Sequence, residues 1–282
     1  MVLPYIRLLR PHQWIKNLLL LLPPFFAGIM FVPSVLKTVV PAFIAFCCVS
    51  SCGYIINDIK DREADSNHDI KKNRDISSGR IPVRNAVLVT LVLYLAAMML
   101  SMSINGEYRW FQWFVLLYLL NSLLYTFFFK KIVIVDIFLV ALGFLFRVLA
   151  GGEAFGVPVS SWLFLTVFTV SLMLAAGKRL GELVSMGANA YKHRENLSLY
   201  STNLLEGILW FSASTSLVMY ALYSLDQKKG LFYTVPLAAF GLIRYISIVQ
   251  EGRGDPTDAL LKDRQITVTG LIWLLVIGLI IY

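Results

Sequence analysis

The sequence contains few charged residues, histidines and cysteines, and these shortages limit the kinds of metal site and catalytic site that it can form. Charged residues make up 15% of its 282 positions, and there are three histidines and three cysteines. The cysteines, Cys47, Cys48 and Cys52, lie together in one apolar stretch, with no second cluster or nearby histidine to complete a metal set. We interpret them as small core residues. The sequence also lacks a His or Ser constellation typical of nucleophilic catalysis.

Hydrophobic residues, by contrast, dominate the chain. They account for 58% of the sequence, and the mean hydropathy is +0.71. Apolar stretches of about 20 residues, the length that crosses the hydrocarbon core of a bilayer, recur along the whole chain. The first follows Arg7, Arg10 and Lys16 without a small-residue cleavage site, so we expect it to be retained. The sequence therefore predicts an integral membrane protein.

The polar segments divide the chain into an all-α bundle of nine predicted transmembrane helices, which we treat as a single catalytic domain over residues 1–282. The predicted spans are 17–36, 38–56, 86–104, 110–129, 132–152, 160–177, 205–225, 231–249 and 265–282.

The distribution of charge predicts the orientation of these spans. All but four of the 25 basic residues lie on the side of the N-terminus or in spans near it, the exceptions being Lys37, Arg109, Lys228 and Lys229. The positive-inside tendency makes that side cytoplasmic, which places the protein in the cell inner (cytoplasmic) membrane as a multi-pass protein. Nearly all acidic residues lie on the same side, in loops 57–85, 178–204 and 250–264. We expect these loops to form the active site, although each alone could be a solvated loop.

The net charge of +8 does not indicate nucleic acid as a partner. The basic residues lie between hydrophobic spans, where anionic lipid or a phosphorylated substrate is the better match.

The strongest motif is Asn57-Asp58-x-x-Asp61-x-x-x-Asp65. At about 100° per helical residue, the three aspartates fall within a sector of about 60°, with Asn57 at its edge. Three neighbouring carboxylates repel one another unless a hard cation such as Mg²⁺, which prefers oxygen ligands, neutralises them. The motif therefore predicts a metal site, with Mn²⁺ as a possible substitute; the alternative is an acidic, solvated helix end.

A basic segment, residues 68–80, follows the acidic motif directly. Lysine supplies a point charge and arginine a bidentate fork, so Lys71 and Arg74 are the predicted phosphate ligands beside the metal. Lys72 and Arg80 could equally contact lipid headgroups. His68 alone is uninformative. A cationic segment next to a metal–carboxylate stripe is suited to a diphosphate.

These two motifs resemble the UbiA superfamily of intramembrane prenyltransferases, whose first motif is N-D-x-x-D-x-x-x-D followed by H-P-x-K-x-x-R-P-I-x-x-G. The matching positions are Asn57, Asp58, Asp61, Asp65, His68, Lys71, Arg74, Ile76 and Gly79, whereas Asp69 and Asp75 replace the two prolines. The resemblance implies a helical bundle with a central cavity, Mg²⁺ bound by two acidic motifs, and transfer from a diphosphate donor.

The second acidic motif of that superfamily, D-x-x-x-D after helix six, is absent. Its place is taken by Gly177-Lys178-Arg179-Leu180-Gly181-Glu182, in which Glu182 is the remaining acidic residue. Two cations there suit an additional phosphate better than an additional Mg²⁺. A basic anchor at a cytoplasmic helix end is the alternative.

Three further segments, 9–17, 147–152 and 254–264, resemble the decaprenyl-phosphate phosphoribosyltransferase branch of the superfamily. That resemblance implies transfer of 5-phosphoribosyl from 5-phosphoribosyl-1-diphosphate to a polyprenyl phosphate, with release of pyrophosphate. Asp58, Asp61 and Asp65 would hold the metal that stabilises the departing pyrophosphate. The predicted donor ligands are Asn57, Lys71, Arg74, Lys178, Arg179, Glu182, Asp255 and Asp258.

Three cations, Lys16, Arg147 and Arg264, are assigned to the lipid phosphate or to a supporting contact. Lys16 could instead be an interfacial anchor. Arg147 lies inside a predicted span, where an unpaired cation is costly. A lipid phosphate or an ion pair with Asp136 or Glu153 could satisfy it, although those two residues lie 11 and 6 positions away and are not obvious partners on one helix. The aspartates of segment 254–264 could bind ribose hydroxyls or a second Mg²⁺, or simply be solvated.

Two other functions remain open. An aromatic prenyltransferase would use the same first motif with a prenyl diphosphate and a quinone precursor, but the missing second aspartate motif disfavours it. A transporter or flippase of a phosphorylated lipid would commonly contain repeats and broken spans, and no convincing repeat is evident.

Overall fold

The structure, a computed structural model, describes residues 2–67, 71–104, 110–186, 197, 199–226, 228 and 230–282. All regular structure in these ranges is helical, as predicted. Eight of the helices are long and apolar enough to cross a membrane. The chain divides into two compact units, unit 1 comprising Met1–Lys130 and Phe146–Pro158, and unit 2 comprising Lys131–Leu145 and Val159–Tyr282. The prediction of one catalytic domain over 1–282 stays a prediction.

Unit 1 contains the N-terminal half of the chain. Its elements are α1 (Val2–Leu8), a 3₁₀ helix at Pro11–Leu21 that we call the N-terminal 3₁₀ segment, α2 (Leu22–Phe26), α3 (Pro33–Lys60), α4 (Arg62–Ser66), a 3₁₀ turn (Lys71–Asn73), α5 (Val83–Met102) and α6 (Trp110–Leu124), which continues as a π-helix (Tyr125–Phe129). The second half of α7 (Val135–Phe155) also belongs to this unit.

Unit 2 contains the first half of α7 and the remaining long helices. These are α8 (Ser161–Met186), α9 (Thr202–Asp226), a 3₁₀ turn (Leu231–Thr234) that leads into α10 (Val235–Gln250), the short α11 (Pro256–Lys262) and α12 (Arg264–Ile281). The core of this unit is formed where α8 packs against α9 and α10, and includes Met173, Ala176, Leu205 and Tyr245.

The structure differs from the sequence prediction at the first span. Residues 17–36 were expected to form one continuous helix, but the chain changes from the N-terminal 3₁₀ segment to α2 and then breaks before Pro33, where α3 begins. Pro23 and Pro24 cause this change, because proline has no N–H to donate and clashes with the preceding turn. The segment is consequently not among the eight long helices.

Helix α3 is longer than the predicted span 38–56, and its extension carries the acidic motif. It begins with Pro33 at its first position, where a missing N–H is tolerated. Its middle buries Ala45, Phe46 and Val49 in the core of unit 1. The last turn, with Asn57 and Asp58, therefore extends from a helix that is firmly packed along its length.

The outer surfaces of several helices are apolar. Only 17% of the span in α5 and 11% of the span in α12 is buried within the protein. Large side chains such as Leu91, Val92, Leu271 and Leu275 are exposed on them. Exposed apolar surface on this scale is expected where lipid, and not water, surrounds a protein.

Candidate active site

The acidic motif lies where α3 gives way to α4. Asp58 is in the last turn of α3, Asp61 is the junction residue, and Asp65 is in α4. Helical hydrogen bonds continue across the junction, because the amide of Asp61 donates to the carbonyl of Asn57 (2.9 Å) and the amide of Asp65 donates to the carbonyl of Asp61 (2.7 Å). The aspartates therefore keep nearly helical spacing. Asp58 and Asp65 are buried, and Asp61 is half-buried.

Arg74 joins two of these carboxylates. One of its guanidinium nitrogens, Nη1, donates to Asp58 Oδ1 at 2.8 Å and to Asp65 Oδ2 at 2.6 Å. Burial raises the pKa of Asp65, while the charges of Arg74 and then Lys71 oppose that rise. Arg74 thus keeps two buried carboxylates close together that would otherwise repel each other.

Two further cations complete the neutralisation, and neither was assigned to this motif from the sequence. Arg10 donates to Asp58 Oδ1 at 2.6 Å and lies 5.2 Å from the centroid of the Tyr54 ring. Lys130 forms an ion pair with Asp61. Lys130 directly follows the π-helix Tyr125–Phe129, and such irregular turns are frequent at functional sites. No simple sequence signal predicts that irregular turn.

The residues fit a hard divalent cation in chemistry, but they need a rearrangement to bind one. Mg²⁺ holds its oxygen ligands at about 2.0–2.1 Å. Asp58 and Asp65 instead converge on a guanidinium nitrogen of Arg74. Within the described residues, no three side chains of His, Cys, Asp or Glu are arranged so that they could hold a metal ion. A cation bound between these carboxylates would therefore replace Arg74.

The segment after the motif is held by an ion pair where the superfamily pattern has proline. Asp75 is buried beside Arg80 at 3.0 Å, with Arg7 at 4.0 Å, and its carbonyl accepts from the amide of Ile81 at 2.9 Å. Gly79 has φ of 75°, which favours glycine. At position 75, a backbone hydrogen bond and an ion pair of the side chain thus stand where the superfamily pattern has a proline ring. His68 and Asp69 lie outside the described residues.

In unit 2, Arg179 belongs to a buried network. Its Nε donates to Asp136 Oδ2 at 2.9 Å, and its Nη1 donates to Glu182 at 3.5 Å. The Tyr200 hydroxyl donates to Asp136 Oδ1 at 2.5 Å and accepts from the amide of Ile134 at 2.6 Å. The side chains of Asp136 and Arg179 are 0% and 5% exposed. Burial, followed by the bond to Asp136, raises the pKa of Tyr200.

Lys178 is placed differently from its neighbour. Its Nζ lies 2.9 Å from Asp255 Oδ2, and both side chains are partly exposed. The pair borders a cavity of about 410 Å³ in unit 2, which is also lined by charged side chains of both signs, namely Glu182, Arg253, Asp258 and Lys262. Asp258 is paired with Lys262 on the exposed side of α11. A cavity of this character can hold a ligand that carries both phosphate and hydroxyl groups.

Glycines bring the wall of this cavity together. A Cβ on Gly181 would lie 2.4 Å from the amide nitrogen of Gly254, and a Cβ on Gly254 would lie 2.2 Å from the carbonyl oxygen of Gly177. The hydroxyl of Tyr245 donates to the carbonyl of Gly254 at 2.9 Å. The loop after α10 can therefore lie directly on the backbone of α8, which brings Asp255 to Lys178.

Of the three cations assigned to lipid phosphate, Arg147 is the one whose expected ion-pair partners are wrong. Asp136 pairs with Arg179, and Glu153 is exposed. Arg147 instead donates to the Asn17 side-chain oxygen at 2.8 Å and to the Tyr118 hydroxyl at 2.9 Å. Helix geometry explains the outcome, because Asp136 is about 16 Å away along the helix axis and Glu153 is turned about 120° from Arg147.

The other two cations lie at the ends of helical elements. Lys16 is half-buried in the N-terminal 3₁₀ segment and donates to the Gln13 side chain at 2.5 Å. Arg264 is exposed at the start of α12. Neither position contradicts a role at the lipid phosphate.

Comparison with known proteins agrees with this architecture. The chain is 34% identical to the decaprenyl-phosphate phosphoribosyltransferase of Mycolicibacterium smegmatis, over 98% of the chain and 92% of that protein. It is 33% identical to the enzyme of that name from Corynebacterium glutamicum, over 98% and 86%. The structure of a UbiA homolog from Archaeoglobus fulgidus bound to GPP and Mg²⁺ superimposes with a TM-score of 0.74 at 20% identity and covers 99% of both chains. The model of the UbiA prenyltransferase family matches residues 21–267, and the chain belongs to that family.

Proposed function

We propose that the protein transfers the 5-phosphoribosyl group of 5-phosphoribosyl-1-diphosphate to a polyprenyl phosphate and releases pyrophosphate. The observation that carries this proposal is the near full-length similarity to decaprenyl-phosphate phosphoribosyltransferases. The site supports it, since the protein combines a carboxylate motif with a lysine where ordinary members of the superfamily have a second pair of aspartates. The protein acts as an enzyme, a pentosyltransferase, and its activity requires the whole chain as one catalytic domain.

The acidic motif of unit 1 holds the diphosphate end of the donor. Asp58, Asp61 and Asp65 are the residues that would hold Mg²⁺, and Mn²⁺ has the same preference for oxygen ligands. Bound there, the cation would neutralise charge that develops on the departing pyrophosphate. Arg74 and Lys71 bind phosphate oxygens, Arg74 after it has left the carboxylates. Asn57 supports the motif from the same helical turn.

In unit 2, Lys178 is the cation best placed for a phosphate of the donor. It is partly exposed on a cavity, and its ion partner Asp255 is itself partly exposed. Such a pair exchanges partners at little cost. Asp255 and Asp258 then offer carboxylates to the ribose hydroxyls. Glu182 lines the same cavity, and Arg179 supports Glu182 without contacting the donor, because Arg179 is buried against Asp136.

The reaction is a direct displacement at the anomeric carbon. An oxygen of the polyprenyl phosphate forms the new bond to that carbon, while the bond from the carbon to the diphosphate oxygen breaks and its electrons leave with pyrophosphate. Configuration at the carbon is inverted. A phosphate monoester is already anionic near neutral pH, since its second pKa is about 6, so a strong general base is not required.

The membrane arrangement suits a lipid acceptor and a water-soluble donor. The apolar helices place the protein in a bilayer as a multi-pass protein. By the positive-inside tendency, we assign the loops around Lys71 and Lys262 to the cytoplasm and the protein to the inner membrane. Labelling of single cysteines at these two positions in intact cells checks the assignment. Labelling by an impermeant reagent from outside the cell contradicts it.

A donor competition tests the reaction itself. Purified protein in nanodiscs is given 5-phosphoribosyl-1-diphosphate with several polyprenyl phosphates, and separately a prenyl diphosphate with 4-hydroxybenzoate. We expect phosphoribosyl lipid and pyrophosphate in the first reaction, both dependent on Mg²⁺ and both lost in Asp58→Asn. Prenylated 4-hydroxybenzoate without any phosphoribosyl lipid would instead establish the aromatic prenyltransferase alternative.

A further inference from the structure

The N-terminal 3₁₀ segment is unusual for its length. It extends over 11 residues, whereas 3₁₀ helices longer than three or four residues are uncommon because their hydrogen bonds are poorly aligned. Arg10, the residue before it, has φ of 54°, a left-handed conformation that is costly for a residue with a Cβ. Tertiary contacts must therefore hold this segment in place.

Those contacts follow the period of the segment. With three residues per turn, Trp14, Asn17 and Leu20 lie in one row. Trp14 donates to the Ser51 hydroxyl at 3.1 Å. Asn17 donates to the Ser50 hydroxyl at 3.2 Å and to the Cys47 sulfur at 3.4 Å.

The segment runs antiparallel to α3, and its first contact is in the acidic motif. Arg10 pairs with Asp58, Trp14 with Ser51, and Asn17 with Cys47. From Arg10 to Asn17 the partner's number falls as the segment's number rises, and Ser51 also donates to the carbonyl of Leu9 at 2.9 Å, so these contacts define one register along α3. At about 2.0 Å per residue, Asn17 lies about 14 Å along the segment from Arg10.

Helix α7 fixes that register at the far end from the acidic motif. Arg147 donates to the oxygen of the same Asn17 side chain whose nitrogen faces α3. One turn further, a Cβ on Gly151 would lie 2.0 Å from the carbonyl oxygen of Leu20, so the backbones touch there. Arg147 is 3% exposed and also lies over the Tyr118 ring. The Arg147 guanidinium is therefore buried between Tyr118 of α6 and Asn17 of the segment.

We propose that Arg147 is a positioning residue that sets the register of the N-terminal 3₁₀ segment on α3, and through it places Arg10 on Asp58. Arg147 contacts the segment at Asn17, about 14 Å along the segment from Arg10, and two of its donors are turned to Asn17 and Tyr118. The charge of Arg10 then reaches the motif only when the segment is docked. This role rests on the proposed function only in its consequence for turnover, and the docking can be measured without it.

Native cysteines report the docking directly. Cys47 is 4% exposed beneath Asn17, whereas Cys52 is 0% exposed and donates to the carbonyl of Thr90 in α5. Purified protein is treated with N-ethylmaleimide, and modification of each cysteine is followed by peptide mass spectrometry. We expect Arg147→Met to speed modification of Cys47 at least tenfold and leave Cys52 protected. Lys37→Met, which removes an exposed cation from α3, should leave both unchanged.

A second substitution keeps the test informative if the arginine variant folds poorly. Gly151→Ala retains Arg147 but forces the Leu20 backbone away, so it should also expose Cys47 and spare Cys52. Unchanged modification of Cys47 in both variants overturns the proposal. Equal exposure of Cys47 and Cys52 overturns it too, because it would reveal only general loosening of unit 1.

A turnover cycle then separates positioning from direct substrate binding. If Arg147 acts through Arg10, the double variant Arg10→Gln/Arg147→Met loses no more kcat than the more damaged single variant. The KM for polyprenyl phosphate should stay within about twofold in Arg147→Met. A tenfold rise in that KM with kcat preserved, or losses that multiply in the double variant, would make Arg147 an independent ligand. If wild-type protein makes no phosphoribosyl lipid, the proposed function fails while the cysteine result still decides the docking.

Discussion

Arg179 and Lys178 are adjacent in sequence, but the structure predicts different consequences when each loses its charge. Arg179 is buried against Asp136, whereas Lys178 forms a partly exposed pair with Asp255 at the cavity. Replacing each with methionine retains most of the side-chain length and removes the charge. We expect Arg179→Met to damage folding, and Lys178→Met to damage donor binding.

The expected magnitudes follow from burial. Removing one partner from a buried ion pair costs about 3–5 kcal/mol, because the other charge stays behind in a medium of low dielectric. Tyr200 still donates to Asp136 in the variant, so we expect the lower end, about 3 kcal/mol. The exposed pair of Lys178 contributes about 0–1 kcal/mol to folding. A charged hydrogen bond from Lys178 to a donor phosphate is worth about 1.5–3 kcal/mol, a rise of about ten- to a hundredfold in donor KM.

Thermal unfolding in detergent and the donor KM, measured on the same preparations, separate the two effects. Arg179→Met should unfold at a clearly lower temperature than wild type, and Lys178→Met should unfold at the wild-type temperature. The control is the double variant Arg179→Met/Asp136→Asn, which removes both charges and should recover most of the lost stability. The reasoning is refuted if Arg179→Met keeps the wild-type unfolding temperature while its donor KM rises as much as that of Lys178→Met.

Three further predictions concern other parts of the two units. Asp61→Asn should lose most turnover at saturating substrate and Mg²⁺, yet its unfolding temperature should stay within a few degrees of wild type. Full turnover of this variant in the presence of a chelator would show that the motif is an acidic, solvated helix end and binds no metal. Gly181→Ala should raise the donor KM, because its Cβ would lie 2.4 Å from the amide nitrogen of Gly254. Gly207→Ala is the control, since a Cβ there would have no atom within 4 Å and the donor KM should not change. Equal KM values in the two variants would contradict the close packing of the loop. The hydrogen bonds that Asp263 accepts from its arginine partner and a backbone amide hold its pKa below the usual 3.8, so its contribution to stability is complete above pH 3.8 and is lost as the pH falls through the lowered value. Unfolding temperatures of wild type and Asp263→Asn should therefore differ by a constant amount above pH 3.8 and draw together as the pH falls further, to pH 2, and a difference that does not change below pH 3.8 would contradict the assignment.

Composition and spacing were sufficient to predict the membrane fold, and the resemblance of the acidic and basic motifs to the UbiA superfamily predicted the family. Apolar stretches of spanning length recur because each must cross the same hydrocarbon thickness, so eight of the nine predicted spans are long helices in the described residues, with most ends within a few residues of the prediction. The acidic motif was visible because helical periodicity governs positions 57–65 in the sequence and in the structure. These are local regularities, and a sequence records them directly.

The partners of buried charges could not be predicted in the same way. The sequence places Lys178 and Arg179 side by side and says nothing about which one faces a cavity and which one faces Asp136, 43 positions away. Arg147 finds Asn17 at a separation of 130 positions, and Lys130 finds Asp61 at a separation of 69. Such pairings depend on how helices pack. A single sequence constrains that packing only weakly.

The pairing of charge in unit 1 also explains how a motif of three carboxylates can exist before any ligand arrives. Asp58, Asp61 and Asp65 are matched by Arg10, Arg74 and Lys130, so these six side chains are together neutral. A cation alone would have to displace Arg74 and leave its charge without those two carboxylates, which is unfavourable in a poorly solvated site. A cation that arrives with a diphosphate brings the replacement partner for that guanidinium. Metal and donor are therefore expected to bind together more tightly than either binds alone, because the exchange of partners is complete only when both are present.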